Sequence, residues 1–362
     1  MPIRARVLGF SGALFAAIFL VTSTAVAQQQ QQKKDEKKLD KAQQQEINAA
    51  VQTVDDVMTG QAGPAEVPVT LQYHFMKARD QRTYMPMVVT FDNKLSGQLV
   101  YYLRVVNPNA PPPPAPKKEA PKRDPETGEI IEQPAPKPQR PEYAFEDVRF
   151  MEVKPTANGE PHHLSVAASL PAGEHDVYVL VRQRGPKEQK KNTPPPPGGL
   201  VKQRVTVPNF WADELMLSSV ILSNKTEQAA PTDAAAPYVF GTTKITPSRD
   251  NKFAKTDELS IIFQIYNTAT AAGGKPDVTV DYNFYQKTGG AEKFFNKTNP
   301  QAFNAETLPP QFDLAAGHTL VGGLSIPLAS FPEGEYRLEI KVTDKASSKT
   351  KVENVSLTVA GA

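Results

Sequence analysis

The chain has 362 residues, 34 prolines, no cysteine, and a formal charge of +2 from 41 basic and 39 acidic side chains. The absence of cysteine removes disulfides and thiol nucleophiles, and the near-balanced charge gives no bulk electrostatic pull toward nucleic acid or an anionic membrane. A chain of this length can reach stability by core burial alone.

Residues 1–27 have the three parts of a secretory signal peptide. Arg4 and Arg6 supply positive charge, 7–21 is almost wholly apolar, and Ala25-Val26-Ala27 is a small-residue cleavage site before a polar glutamine run. The apolar stretch falls short of the ~20 residues of a spanning helix, so cleavage is expected rather than anchoring. Cleavage removes both excess positive charges and leaves 39 basic and 39 acidic residues. No cysteine follows the cut to carry a lipid, and no second apolar stretch is long enough to span. The expected location is periplasmic or extracellular, with no stable membrane insertion after cleavage.

Residues 28–62 form a polar leader. Its latter part is free of Pro and Gly, and Ile47, Val51, Val54 and Met58 recur at helical spacing. Such a helix docks either on its own β-domain or on a partner. Gly60, Gly63 and Pro64 end it.

From Val67 the pattern changes to period two. Strands are expected over 67–75, 84–91, 98–106, 143–153, 163–170, 175–182 and 200–207, which suggests an antiparallel sandwich over 63–222. A further strand, 215–222, is expected at the domain junction. Two Pro-rich insertions, 107–141 and 185–199, interrupt this domain. Proline this dense favours extended polyproline II, so each is a solvated loop or a recognition segment. The polar, Ala- and Pro-rich stretch 223–237 reads as an interdomain linker. A second sandwich is expected over 238–362, with strands at 238–246, 258–266, 278–286, 293–296, 319–326, 336–343 and 352–359. In both domains a Pro-x-Gly corner, Pro171-Ala172-Gly173 and Pro332-Glu333-Gly334, feeds a strand that forms a hairpin with the last one.

The stretches DDVMTGQAGPAEVPVTLQYHF, LVKQRVTVPNFWADELMLSSVIL, KPDVTVDYNFYQKTGGAEKFFNKTNP and SFPEGEYRLEIKVTDK resemble a family of uncharacterised secreted bacterial proteins. Segments of the type VTVPxF…LxLSSV also resemble the β-sandwich part of GWxTD-domain proteins, although no GWxTD motif is present. The resemblance implies tandem immunoglobulin-like or fibronectin-like β-sandwiches and brings no catalytic residue.

The chemistry-bearing residues form no familiar constellation. His74, His162, His163, His175 and His318 show no metal-ligand spacing, and adjacent His162 and His163 point to opposite faces of a strand. There is no G-x-S-x-G elbow, no Walker loop and no G-x-G-x-x-G. No cofactor or metal and no enzymatic activity is expected. Two groups of aromatics remain as a binding surface. Trp211 is either a junction anchor or a sugar-stacking platform. Tyr282, Tyr285, Phe294 and Phe295 gather in one hairpin of the second domain, either as core or as a carbohydrate- or protein-binding face. The function expected is a non-catalytic exported protein that binds a protein or a cell-envelope polymer. The alternative is a carbohydrate-binding module using the aromatic hairpin.

Overall fold

A computed structural model describes residues 6–7, 40–109, 143–185, 196–233 and 235–361. Most of the expected signal peptide, the start of the leader and nearly all of both Pro-rich insertions lie outside the described residues. Arg6 and Val7 pair antiparallel with Ser325 and Leu324.

The first sandwich contains β1 (Val69–Tyr73), β2 (Thr83–Phe91), β3 (Gly97–Val106), β4 (Phe145–Val153), β5 (His162–Leu170), β6 (Gly173–Gln183) and β7 (Gly198–Val207). One sheet runs β1-β2-β5 and the other β4-β3-β6-β7, with every pair antiparallel. Alternate residues of the two inner faces, Met85, Met87 and Val89 against Leu99, Tyr101, Leu103, Val177 and Val179, form the core. Gly199 is fixed by sterics: a Cβ there would lie 2.0 Å from the Val67 carbonyl oxygen, where the lead-in to β1 crosses β7.

The second sandwich contains β8 (Ile221–Ser223), β9 (Glu258–Tyr266), β10 (Val278–Thr288), β11 (Ala291–Lys297), β12 (Leu320–Pro327), β13 (Gly334–Asp344) and β14 (Lys349–Ala360). Its sheets run β8-β9-β12 and β11-β10-β13-β14. These seven strands keep the order of the first sandwich, with Lys252–Ala254 added parallel to β14 and Gln301–Phe303 beside β10, so the chain carries two fibronectin-like sandwiches in tandem.

The shared corners have a shared brace. Tyr336 donates its hydroxyl to the Pro332 carbonyl at 2.7 Å, as in a tyrosine corner. In the first sandwich His175 occupies the corresponding place, its Nε2 3.0 Å from the Pro171 carbonyl. A carbonyl only accepts, so Nε2 carries the proton. Gly173 (φ 122°) and Gly334 (φ 142°) supply the left-handed backbone at both corners.

The leader helix, α1 (Lys41–Met58), lies on its own domain. Asp40 caps it reciprocally: the Gln43 N–H donates to Asp40 Oδ1, and the Asp40 N–H donates to the Gln43 side chain. Ala50 and Val54 are buried against Val100, Tyr102, Tyr178 and Leu180 on the outer face of β3 and β6. The sheet-facing line is therefore Ala50, Val54 and their neighbours Val51 and Val57, while Met58 is 40% exposed. A small residue at position 50 lets the helix approach a face that carries two tyrosines. Ion pairs tie the edges. Arg104, fully buried, reaches Asp55 and accompanies the Tyr102 hydroxyl, and Arg182 meets Glu46 at 2.8 Å.

The junction departs from the sequence expectation. Residues 215–222 do not form one strand. Met216–Leu217 and Ile221–Ser223 are separate pieces, and both pair with β9 as the first strand of the second sandwich. The stretch 223–237 is not a linker either. Lys225–Gln228 pairs with Thr243–Thr246, which also pairs with Val239–Phe240, giving a three-stranded sheet inserted after β8. The reason lies in the backbone: Lys225–Gln228 is exposed along its length and joined to its neighbour through main-chain pairing, so it carries no apolar periodicity. The domain boundary moves back to the stretch between β7 and Met216.

The two sandwiches meet through a buried seam. Met76 and Val88 of the first pack with Ile221, Tyr238, Ile245 and Ile262 of the second. Ser219 N–H donates to the Phe75 carbonyl at 2.9 Å, the Phe75 N–H donates to Ser219 Oγ at 2.8 Å, and Lys77 N–H donates to the Tyr266 hydroxyl at 3.0 Å. Tyr238, with φ 61°, turns its ring into the seam. Its hydroxyl donates to the Pro86 carbonyl and receives the Nδ1 proton of His74 at 2.9 Å. Burial without a carboxylate partner pushes the His74 imidazole down to about 4.

Candidate functional site

Trp211 stands on the short stretch that connects the sandwiches, and that stretch is pinned at several points. Asn267, at the end of β9 in a left-handed conformation (φ 59°), directs Nδ2 at the carbonyls of Phe210, Ala212 and Glu214, at 2.9 to 3.1 Å. Phe210 is buried, its ring 5.0 Å from that of Tyr266. The Trp211 indole N–H donates to the Arg82 carbonyl at 3.2 Å. The ring is thus fixed in place yet 43% exposed.

Beside it lies a cleft of about 390 Å³, lined by Lys77, Trp211, Asp213, Thr268, Ser347 and Lys349 among others. Lys77 Nζ sits 4.3 Å from the indole centroid and donates to Asn267 Oδ1 at 2.9 Å. Burial lowers the Lys77 ammonium from its ordinary value. Lys349 Nζ donates to the main-chain oxygen of Asp213. The Thr268 hydroxyl oxygen is buried without a partner. Below the cleft Asp344 is fully buried and accepts from Ala269 N–H at 2.8 Å, from the Ser347 hydroxyl at 2.6 Å and from Ala346 N–H.

The aromatic hairpin divides between core and surface. Tyr282 is fully buried, its hydroxyl donating to Gln301, and its phenol is pushed up by burial. Phe295 packs against Phe331 and Tyr336 with centroids 5.0 and 5.5 Å away. Both therefore belong to the core and drop out of any binding surface, because period two turns Tyr282 inward and Phe295 follows suit on the facing strand. Tyr285 and Phe294 face outward as a T-shaped pair at 5.8 Å, with a bulge beside them where β10 meets β11. Arg337 covers the Tyr285 ring at 4.2 Å and is held by Glu292, Glu339 and Asn354. Phe294 alone offers a free face there, 56% exposed. Trp211 is in a different part of the fold from this pair.

The histidines are dispersed. His162 is buried beside Phe91, while His163 on the opposite face contacts Thr90 and, at 2.7 Å, Arg249. Among the described residues no group of three His, Asp or Glu side chains is placed to hold a metal ion. No described helix is long and apolar enough to cross a membrane. Sequence reading isolated Trp211 but not Lys77, Asn267, Thr268 or Lys349. These come from distant segments and share no spacing that could have flagged them.

No protein-family model matches the chain, and no curated protein matches it. Similar solved structures include Escherichia coli alpha-2-macroglobulin activated by porcine elastase, at 10% identity and TM-score 0.22, covering 83% of this chain and 24% of that one. The native conformation of the same macroglobulin is similar at 9% identity and TM-score 0.25, covering 82% and 25%. The C-terminal domain of the Streptococcus agalactiae AgI/II polypeptide BspA is similar at 10% identity and TM-score 0.21, covering 80% and 100%. The chain spans about a quarter of the macroglobulin chains it matches. At these values no function comes across, and the architecture rests on the sheets themselves.

Proposed function

We propose that the chain is a non-catalytic binding protein, exported to the periplasm or beyond, that presents surfaces of two locked sandwiches to a protein or cell-envelope polymer. The observation that supports this most is the pinned, exposed Trp211 at the seam. Ligand sites favour domain junctions, and fixing an aromatic ring in advance lowers the entropy lost on binding. Capture of envelope extract on the immobilised protein tests it. Trp211→Ala is expected to reduce capture by roughly tenfold, about 1.4 kcal/mol, with the circular dichroism unchanged. Equal capture by the variant overturns the role of the cleft.

A second reading, carbohydrate binding at the hairpin, is favoured by the exposed Phe294 beside Tyr285 on a polar sheet face. Glycan-array binding that disappears in Phe294→Ala supports it, and array binding unaffected by that change removes it.

A further inference from the structure

We infer that the junction cleft takes an anionic sugar, a pyranose carrying an acidic group, with Trp211 as its stacking face and Lys77 and Lys349 as its charge partners. The inference rests on the reading of the chain as a binding protein and assigns the ligand class to the cleft.

Size comes first. A volume of about 390 Å³ lies at the lower end of the ~300–1,000 Å³ of small-ligand clefts. It suits a ring-sized unit of a polymer better than a folded partner. Lys77 Nζ lies 4.3 Å from the indole centroid, yet Trp211 stays 43% exposed, which leaves indole surface for the C–H face of a pyranose.

Charge narrows the class. Lys77 and Lys349 spend their hydrogen bonds on neutral acceptors, the side-chain oxygen of Asn267 and the main-chain oxygen of Asp213. Among the described residues neither ammonium forms an ion pair. Asp213 is the one carboxylate in the lining, and the carboxylate of Asp344 beneath is already saturated by main-chain N–H groups and the Ser347 hydroxyl. An acidic group entering the cleft would meet two ammonium groups that, among the described residues, contact only dipoles and, for Lys77, the rings of Trp211 and Tyr266, and charge-assisted contacts are the stronger kind.

The chain contains a single tryptophan, so its fluorescence reports this cleft directly. The full chain is titrated with glucuronic acid, glucose 6-phosphate and glucose. At least one acidic sugar is expected to perturb the Trp211 emission saturably, with an affinity roughly tenfold or more above glucose that weakens as salt is raised. Which acid responds identifies the acidic group as carboxylate or phosphate. Lys349→Met, at the exposed rim, and Lys77→Met are each expected to reduce that preference by roughly fivefold. The inference is overturned if glucose titrates as well as the acids, if no sugar perturbs Trp211, if both lysine variants keep the preference, or if an acidic peptide competes better than the sugars. Loss of the sugar response with Trp211-dependent envelope capture intact removes the ligand class alone. Loss of both removes the binding reading itself.

Discussion

The two sandwiches share a strand order and differ in what lies on one face. In the first, the outer face of β3 and β6 is apolar and α1 covers it. In the second, the same face of β10 and β13 is polar and, among the described residues, bare. The difference is written in the strands. In β3, Leu99 to Val105 is buried without interruption, because Val100 and Tyr102 point at the helix while Leu99 and Tyr101 point at the core. In β10 burial alternates, with Val278, Val280, Tyr282 and Phe284 inward and Asn283 and Tyr285 outward. A two-sided apolar strand therefore announces a cover, and an alternating one announces a solvent face. The polar positions agree. Buried Arg104 needs Asp55 from the helix, whereas Arg337 on the bare face finds its acids within its own sheet.

Leu180→Asp, under the helix, should cost on the order of 4 kcal/mol in urea denaturation, since it buries an unpaired carboxylate. Val352→Asp, on the bare face and 42% exposed, should stay within about 0.5 kcal/mol. Equal losses would mean that the bare face is also covered. Next come the arginines. Arg104→Ala strips a buried cation from Asp55 and Glu146 and should cost about 3 kcal/mol. Arg337→Ala, partly screened by solvent, should cost about 1 kcal/mol or less. Thermal or chemical unfolding separates the two outcomes.

The seam that joins the regions carries a pH dependence. His74 is neutral when folded, with its value lowered from 6.5 to about 4. Between those values the unfolded chain binds a proton that the folded chain does not, so stability is complete above pH 6.5 and falls as pH drops toward 4. The loss should reach about 2 kcal/mol at pH 5. His74→Phe should flatten that part of the stability profile, and an unchanged slope would show that His74 is not its source. Asp40→Ala removes the N-cap and should cost about 1 kcal/mol, read as faster amide exchange in α1 with the bare-face strands unaffected.

Most strands were legible because one-sided burial imposes period two. Both Pro-x-Gly corners were legible because the left-handed backbone calls for glycine. The braces were legible in principle, since His175 and Tyr336 each stand four residues beyond their proline. The junction was not. Lys225–Gln228 is held by main-chain bonds, and its Ala- and Pro-rich surroundings look like a linker whether or not they pair. The candidate site was legible only in Trp211. Tyr285 and Tyr282 are indistinguishable by type, and register alone sends one to solvent and the other to the core.

The short, pinned connection between the sandwiches has a mechanical consequence. The chain leaves β7 and, after the pinned stretch around Trp211, enters Met216–Leu217 against β9, while Tyr238 clamps Pro86 from the other side. A pull on the two ends finds no slack tether to reel out at the junction. The load should pass into the seam, and the pair is expected to respond as a single strut until Met76, Val88 and Ile262 part company.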